Sequence, residues 1–215
     1  MIEVKLLNDT SGNETLVYTA ARTCYSAKTP HVIWLESDEL DKRAKFIADI
    51  IKRGHESVLE HAVYTFAISG ISRVTLAQLT RHRIGVSYSV KSQRYVSMMD
   101  QKWSYPEMDE AQERIYLKAL ENSADAYTEL IEAGMDKEDA RYIMPSAATT
   151  NLVMTVNARE LRHIAKVRLC ERAQWEIREL VEMMVNEARK ANPSLFQNLD
   201  PCEGCKEPDC PKIKT

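Results

Sequence analysis

Between Met108 and Ala133 the residues Tyr116, Leu120, Ala124, Tyr127 and Ile131 recur every three or four positions, and Gly134 follows. That period predicts one long α-helix with an apolar stripe, most of its charged residues lying off the stripe and facing water. A stripe of this kind must be covered, so the chain needs a second packed layer. Short alternating stretches supply it. Residues 2–7 alternate weakly. In the stretch Ala62 to Ser69, Val63, Thr65, Ala67 and Ser69 alternate with Tyr64, Phe66, Ile68 and Gly70, and Thr149 to Val156 reads as a further strand.

Helical patterns surround these strands. Asn13 to Tyr25 reads as a helix with Leu16, Ala20 and Ala21 on one side, ended by a loop around Pro30. From Ser37 a second helix carries Leu40, Ala44, Ile47, Ile50 and Ile51 on one stripe and stops at Gly54. Asp136 is placed to cap Lys137–Met144 before Pro145, and Asn157, with Glu160 three residues on, opens another helix. A last helix spans Ala173 to Ala191, ahead of Pro193. The class is therefore α+β, a small sheet with long helices, in a single domain over residues 1–195 followed by a polar cysteine-containing tail, 196–215.

Composition narrows the function. Hydrophobic residues make up 44% of the 215, enough for a core, while the formal net charge of -3 argues against a chain built to hold nucleic acid. No apolar run approaches membrane-spanning length and the N-terminus lacks signal-peptide features, so the expected compartment is the cytoplasm and no membrane or nucleic-acid partner is expected. Cys24, Cys170, Cys202, Cys205 and Cys210 do not form a secreted disulfide framework. The last three suit either a reduced tail or a zinc site short of a fourth ligand.

The chemistry-bearing stretch is Arg81-His82-Arg83, then Ile84-Gly85-Val86 and Ser87-Tyr88-Ser89-Val90-Lys91-Ser92-Gln93-Arg94-Tyr95. Arginine forks and short serine donors together suit an anionic, oxygen-rich ligand. Helical spacing puts Gln78, Arg81 and His82 on one face of a helix ending near Arg83, with the serines in a loop beyond Gly85. Upstream, Ser57 and Glu60 within His55-Glu56-Ser57-Val58-Leu59-Glu60-His61 suit a capping box, and the histidine spacing is not that of a helical zinc pair. Downstream, Leu161, Ile164, Ala165, Arg168, Arg172 and Trp175 share a stripe, so two arginines on an apolar face each require a partner. Arg159 and His163 lie one turn apart on a different face.

Arg-His-Arg followed by Ser-Tyr-Ser-x-x-Ser-x-Arg-Tyr resembles the signature of the flavin-dependent thymidylate synthases, with eight rather than seven residues between Arg83 and Ser92. Gly-His-Glu-Ser-x-x-Glu-His, at 54–61, resembles a second segment of that family, and Asn157-Ala158-Arg159 and the Arg141 segment match two more. The resemblance implies reductive methylation of deoxyuridylate, with FAD as cofactor, methylenetetrahydrofolate as carbon donor, NADPH as reductant and a homotetramer with sites between subunits. It implies flavin contacts from Ser57, Arg81, His82 and Arg83, from Val90, and from Asn157, Ala158, Arg159 and His163. For deoxyuridylate it implies Gln78, Leu79, Thr80 and Arg81, then Val90, Lys91, Ser92, Gln93 and Arg94, and finally Arg141 and Arg168. Arg168 is the catalytic candidate, and no metal is implied. Two rivals rest on the residues alone: an RNA-binding or regulatory module using Arg81, Arg83, Lys91 and Arg94, and a metal-dependent hydrolase using His55 and His61.

Overall fold

The computed structural model describes residues 1–8, 12–37, 39–197 and 199. The expectations for Cys202, Cys205 and Cys210 fall outside them. The fold is α+β, built on a four-stranded antiparallel sheet of β1 (Glu3–Leu6), β2 (Val63–Ser72), β3 (Val86–Val90) and β4 (Thr149–Asn157) in the order β1-β2-β4-β3. The helices are α1 (Asn13–Thr23), α2 (Pro30–Leu35), α3 (Leu40–Lys52), α4 (Arg73–Leu79), α5 (Glu110–Glu132), α6 (Lys137–Ala140), α7 (Ala158–Arg168) and α8 (Trp175–Ala191). The described chain divides into two units, and β2 and β4 each run from one into the other.

The first unit comprises 1–3, 68–81 and 88–153. Its long helix forms where the sequence predicts one, opened by a capping box in which Asp109 accepts from the Gln112 N–H at 2.9 Å and Gln112 accepts from the Asp109 N–H at 3.2 Å. Leu120 and Tyr127 are the buried members of its stripe, and Tyr127 packs with Met98, Ala140 and Ala148. Asp136 sits at the start of α6 without a side-chain cap, and a 3₁₀ turn, Arg141–Ile143, takes the place of the rest of the predicted Lys137–Met144 helix.

The described residues of the second unit lie within 4–67, 82–87 and 154–199. Its core gathers Leu59, Tyr64, Phe66, Leu161, Ile164, Leu180, Met184 and Phe196, all fully buried. Each aliphatic side chain so buried contributes roughly 1.5–3 kcal/mol. Tyr64 meets Phe196 edge-on at 5.3 Å, and its hydroxyl donates to Asn192 Oδ1 at 2.8 Å. Burial raises the Tyr64 pKa well above the phenol range, so this donor keeps its proton.

Several local expectations are corrected. On α1 the buried side is Asn13, Val17, Thr19 and Ala21, not Leu16 and Ala20. Pro30 starts α2 at its first turn, where a missing N–H costs nothing, instead of ending a unit in a loop. In α3 the exposed Leu40 lies outside the core that holds Ile47 and Ile50. Ser57 and Glu60 make no capping box, because His55 occupies the cap of a 3₁₀ helix, Glu56–His61, and the Glu60 carboxylate turns to Arg159.

Candidate active site

In the first unit, the Ser72 hydroxyl caps α4 by accepting from the Thr75 N–H at 3.1 Å. The helix stops at Leu79, whose carbonyl accepts from the Tyr88 hydroxyl at 2.8 Å. Arg81 and His82 therefore lie beyond it, and the predicted common helical face with Gln78 does not form. Ser87 and Ser89 are in strand β3, not in a loop, since Val86, Tyr88 and Val90 alternate with them at strand period. The Lys91 N–H carries that pairing one residue further, to the Asn151 carbonyl at 2.9 Å.

Past β3 the chain turns on Ser92, whose hydroxyl accepts from the Arg94 N–H at 3.2 Å, with Gln93 half-buried between them. The Arg94 guanidinium pairs with Glu138 at 2.8 Å, and Arg141 Nε donates to the Glu138 carbonyl at 2.9 Å. One acidic residue thus collects two of the arginines matched to deoxyuridylate. Thr80 turns inward, its hydroxyl donating to the Leu76 carbonyl at 2.9 Å. Arg73 was not singled out from sequence. Its Nε is buried without a hydrogen-bond partner among the described residues, and burial together with the nearby Arg141 cation lowers its pKa.

In the second unit, Asn157 caps α7 by accepting from the Glu160 N–H at 2.8 Å, as predicted. The Ala158 N–H is taken by the Ala62 carbonyl at 2.8 Å, so part of the helix terminus is already satisfied internally. Gly85, at φ 67°, packs so closely that a Cβ would lie 2.2 Å from Asn157 Nδ2; only glycine tolerates both that conformation and that approach. Arg83 and His163 are exposed, as is Ser57 on the 3₁₀ helix, and Arg159 pairs with Glu60 at 2.5 Å.

At the far end of α7, Arg168 Nε donates to His82 Nε2 at 3.2 Å across 86 residues of sequence. The other ring nitrogen, Nδ1, lies 3.3 Å from a Glu160 carboxylate oxygen. Burial raises the Glu160 pKa, and His163 and Arg159 oppose that shift. His163 meets the His82 ring edge-on at 5.9 Å. Arg168 thus has the partner that its stripe position demands, whereas Arg172 lies past the end of α7 and is exposed.

The sequence profile described as "Thymidylate synthase complementing protein" matches residues 5–194. The chain belongs to this family. It is similar to the flavin-dependent thymidylate synthase of Geobacter sulfurreducens, at 39% identity over 98% of this chain and 91% of that protein. It is also similar to the enzymes of the same name from Saccharolobus solfataricus, at 40% identity over 94% of this chain and 78% of the relative, and Pyrococcus furiosus, at 39% over 88% and 80%.

In this thymidylate synthase family member, sequence reasoning missed the arginine that is most deeply buried on α7. Arg162 is 3% exposed; it donates to the Leu195 carbonyl at 2.8 Å and lies 4.0 Å from Glu56. Its burial lowers its pKa while Glu56 opposes that. The signal was present, since Arg162 adjoins Leu161 on the stripe side, but the stripe was drawn through Arg168. The metal rival fails on placement: among the described residues the trio whose ligand atoms fall within 4.8 Å of one another is His82, Glu160 and His163, while His55 and His61 sit exposed at opposite ends of the 3₁₀ helix. Both ring nitrogens of His82 are accounted for by Arg168 and Glu160.

Proposed function

We propose that this chain is a flavin-dependent thymidylate synthase that methylates deoxyuridylate reductively, taking its carbon from methylenetetrahydrofolate and its reducing equivalents from NADPH. The observation that carries the reading is the meeting of His82, from the Arg-His-Arg motif, with Arg168, from a separate motif, at 3.2 Å. Residues 1–195 form the catalytic region in this reading, with 196–215 an appendage, and the enzyme works as a cytoplasmic homotetramer.

The residues suit the ligands by chemistry. Arg83, Arg159 and His163 present exposed donors of the kind a flavin diphosphate accepts, and Ser57 adds a hydroxyl. Arg94, Arg141, Ser92 and Lys91 suit the nucleotide's phosphate, and the orphaned Nε of Arg73 marks an electropositive side that an anion would relieve. Gln78 and Gln93 suit polar edges of the nucleotide, and the half-buried Val90 suits an apolar surface of it. Arg81 is shared between nucleotide and flavin in this reading, and Leu79, Thr80 and Ala158 adjoin the contacting side chains in the chain.

C5 of uracil is a weak nucleophile until negative charge develops on the ring. Arg168, held by His82 and partly shielded from water, stabilises that charge through its guanidinium donors. FAD, when bound, supplies the hydride and the one-carbon transfer. No cysteine nucleophile is required of the chain, which binds, orients and excludes water.

The test is an absorption spectrum of the protein with FAD under anaerobic NADPH, followed by deoxyuridylate, methylenetetrahydrofolate and chromatographic detection of thymidylate. Flavin bleaching that accelerates with nucleotide, and thymidylate formation, are expected. A protein that neither holds FAD nor forms thymidylate overturns the reading.

A further inference from the structure

Glu160 has no part in the assignment above, although its side chain is only 15% exposed and faces the buried His82. The direction of the hydrogen bonds around that histidine follows from the chemistry of its neighbours. A guanidinium N–H can only donate, so the His82 Nε2 that meets Arg168 Nε carries no proton. Both the doubly protonated ring and the Nε2–H tautomer would set two donors against each other there. The single imidazole proton therefore sits on Nδ1, the nitrogen 3.3 Å from Glu160, and a carboxylate is an acceptor suited to it. Glu160 is itself anchored, since Asn157 accepts its N–H in the first turn of α7.

We infer that Glu160 is a positioning residue for Arg168: by accepting the Nδ1 proton of His82 it turns the ring's Nε2 lone pair toward Arg168 Nε and so fixes the guanidinium plane. The consequence for catalysis rests on the thymidylate synthase reading, whereas the tautomer does not. Behind metal-ligating histidines a carboxylate commonly orients the ring and selects its tautomer, and its loss costs roughly 10- to 100-fold in function; here the oriented ring acts on an arginine instead.

The experiment uses the FAD-loaded protein with nitrogen-15 histidine. The His82 resonances are assigned by their loss in His82→Phe. The parent is expected to show a protonated Nδ1 and an unprotonated Nε2 at His82. Glu160→Ala is expected to lose that signature and to lower kcat for thymidylate formation about 10-fold. Glu160→Gln, whose amide oxygen still accepts, keeps the tautomer and restores most of kcat. Placed in an Arg168→Lys background, which lacks the Nε donor, Glu160→Ala should cost little more. A protonated Nε2 in the parent overturns the inference without any variant. So does an unchanged His82 signature in Glu160→Ala, or an equal fold-loss in both backgrounds. If the parent forms no thymidylate, the reaction assignment falls and the nitrogen spectra still decide the tautomer.

Discussion

Two charged clusters in this molecule are built on opposite principles. Around Glu138, Arg94 and Arg141 are gathered near the surface, and the Arg94–Glu138 partners are each nearly half exposed. Around His82, the histidine is 8% and Glu160 15% exposed, and the order of donors and acceptors is fixed. Exposed ion pairs are screened and worth at most about 1 kcal/mol, so the first cluster can exchange its carboxylate for an incoming phosphate at small cost. A shielded network is expensive to leave incomplete, so the second is set before any ligand arrives. Binding suits the first cluster and preorganised charge stabilisation the second.

The comparison breaks most readily at Arg168. Arg168→Ala should lower kcat by roughly 10²–10³, the range for losing one preorganised donor, measured by thymidylate formation at saturating deoxyuridylate. A loss confined to KM would move Arg168 into the binding class. Arg94→Ala should do the reverse, raising the deoxyuridylate KM by about 10-fold while the thermal midpoint shifts by less than about 1 kcal/mol equivalent. A large drop in stability would mean that the surface pair is structural.

Asn157→Ala should cost about 1 kcal/mol of stability by denaturant titration through loss of the α7 cap. No change would show that the capped N–H finds another partner. The smallest effect concerns pH. The Glu160 pKa is raised in the folded state by burial, so folding favours its protonated form. Ionised Glu160 then costs stability that is absent below the unfolded carboxylate range and grows as pH rises through the raised value. The midpoint of Glu160→Gln relative to the parent should therefore climb from acid to neutral pH and level off. A flat difference would mean that His163 and Arg159 fully compensate the buried charge.

Legibility followed the range of the interactions. The long α5 and strands β2 and β4 were readable because hydrophobic period is local, and the Asn157 cap because it spans three residues. Strand β3 was misread although Val86, Tyr88 and Val90 alternate, since its serines suggested a loop. The end of α4 was misplaced because a distant hydroxyl, that of Tyr88, takes the Leu79 carbonyl.

By itself the sequence determined the long, strongly periodic elements, the motif residues and the family-level chemistry they resemble, because periodicity, caps and spacing act between near neighbours. Only the tertiary structure decided that Arg168 would meet His82 and that Glu160 would stand behind it, that Arg162 would be the buried arginine, and that Glu138 would collect Arg94 and Arg141. All of these except the local Arg141–Glu138 bond join segments far apart in the chain. They exist because burial makes unpaired polar groups costly, and which partner satisfies each is set by packing rather than by local pattern.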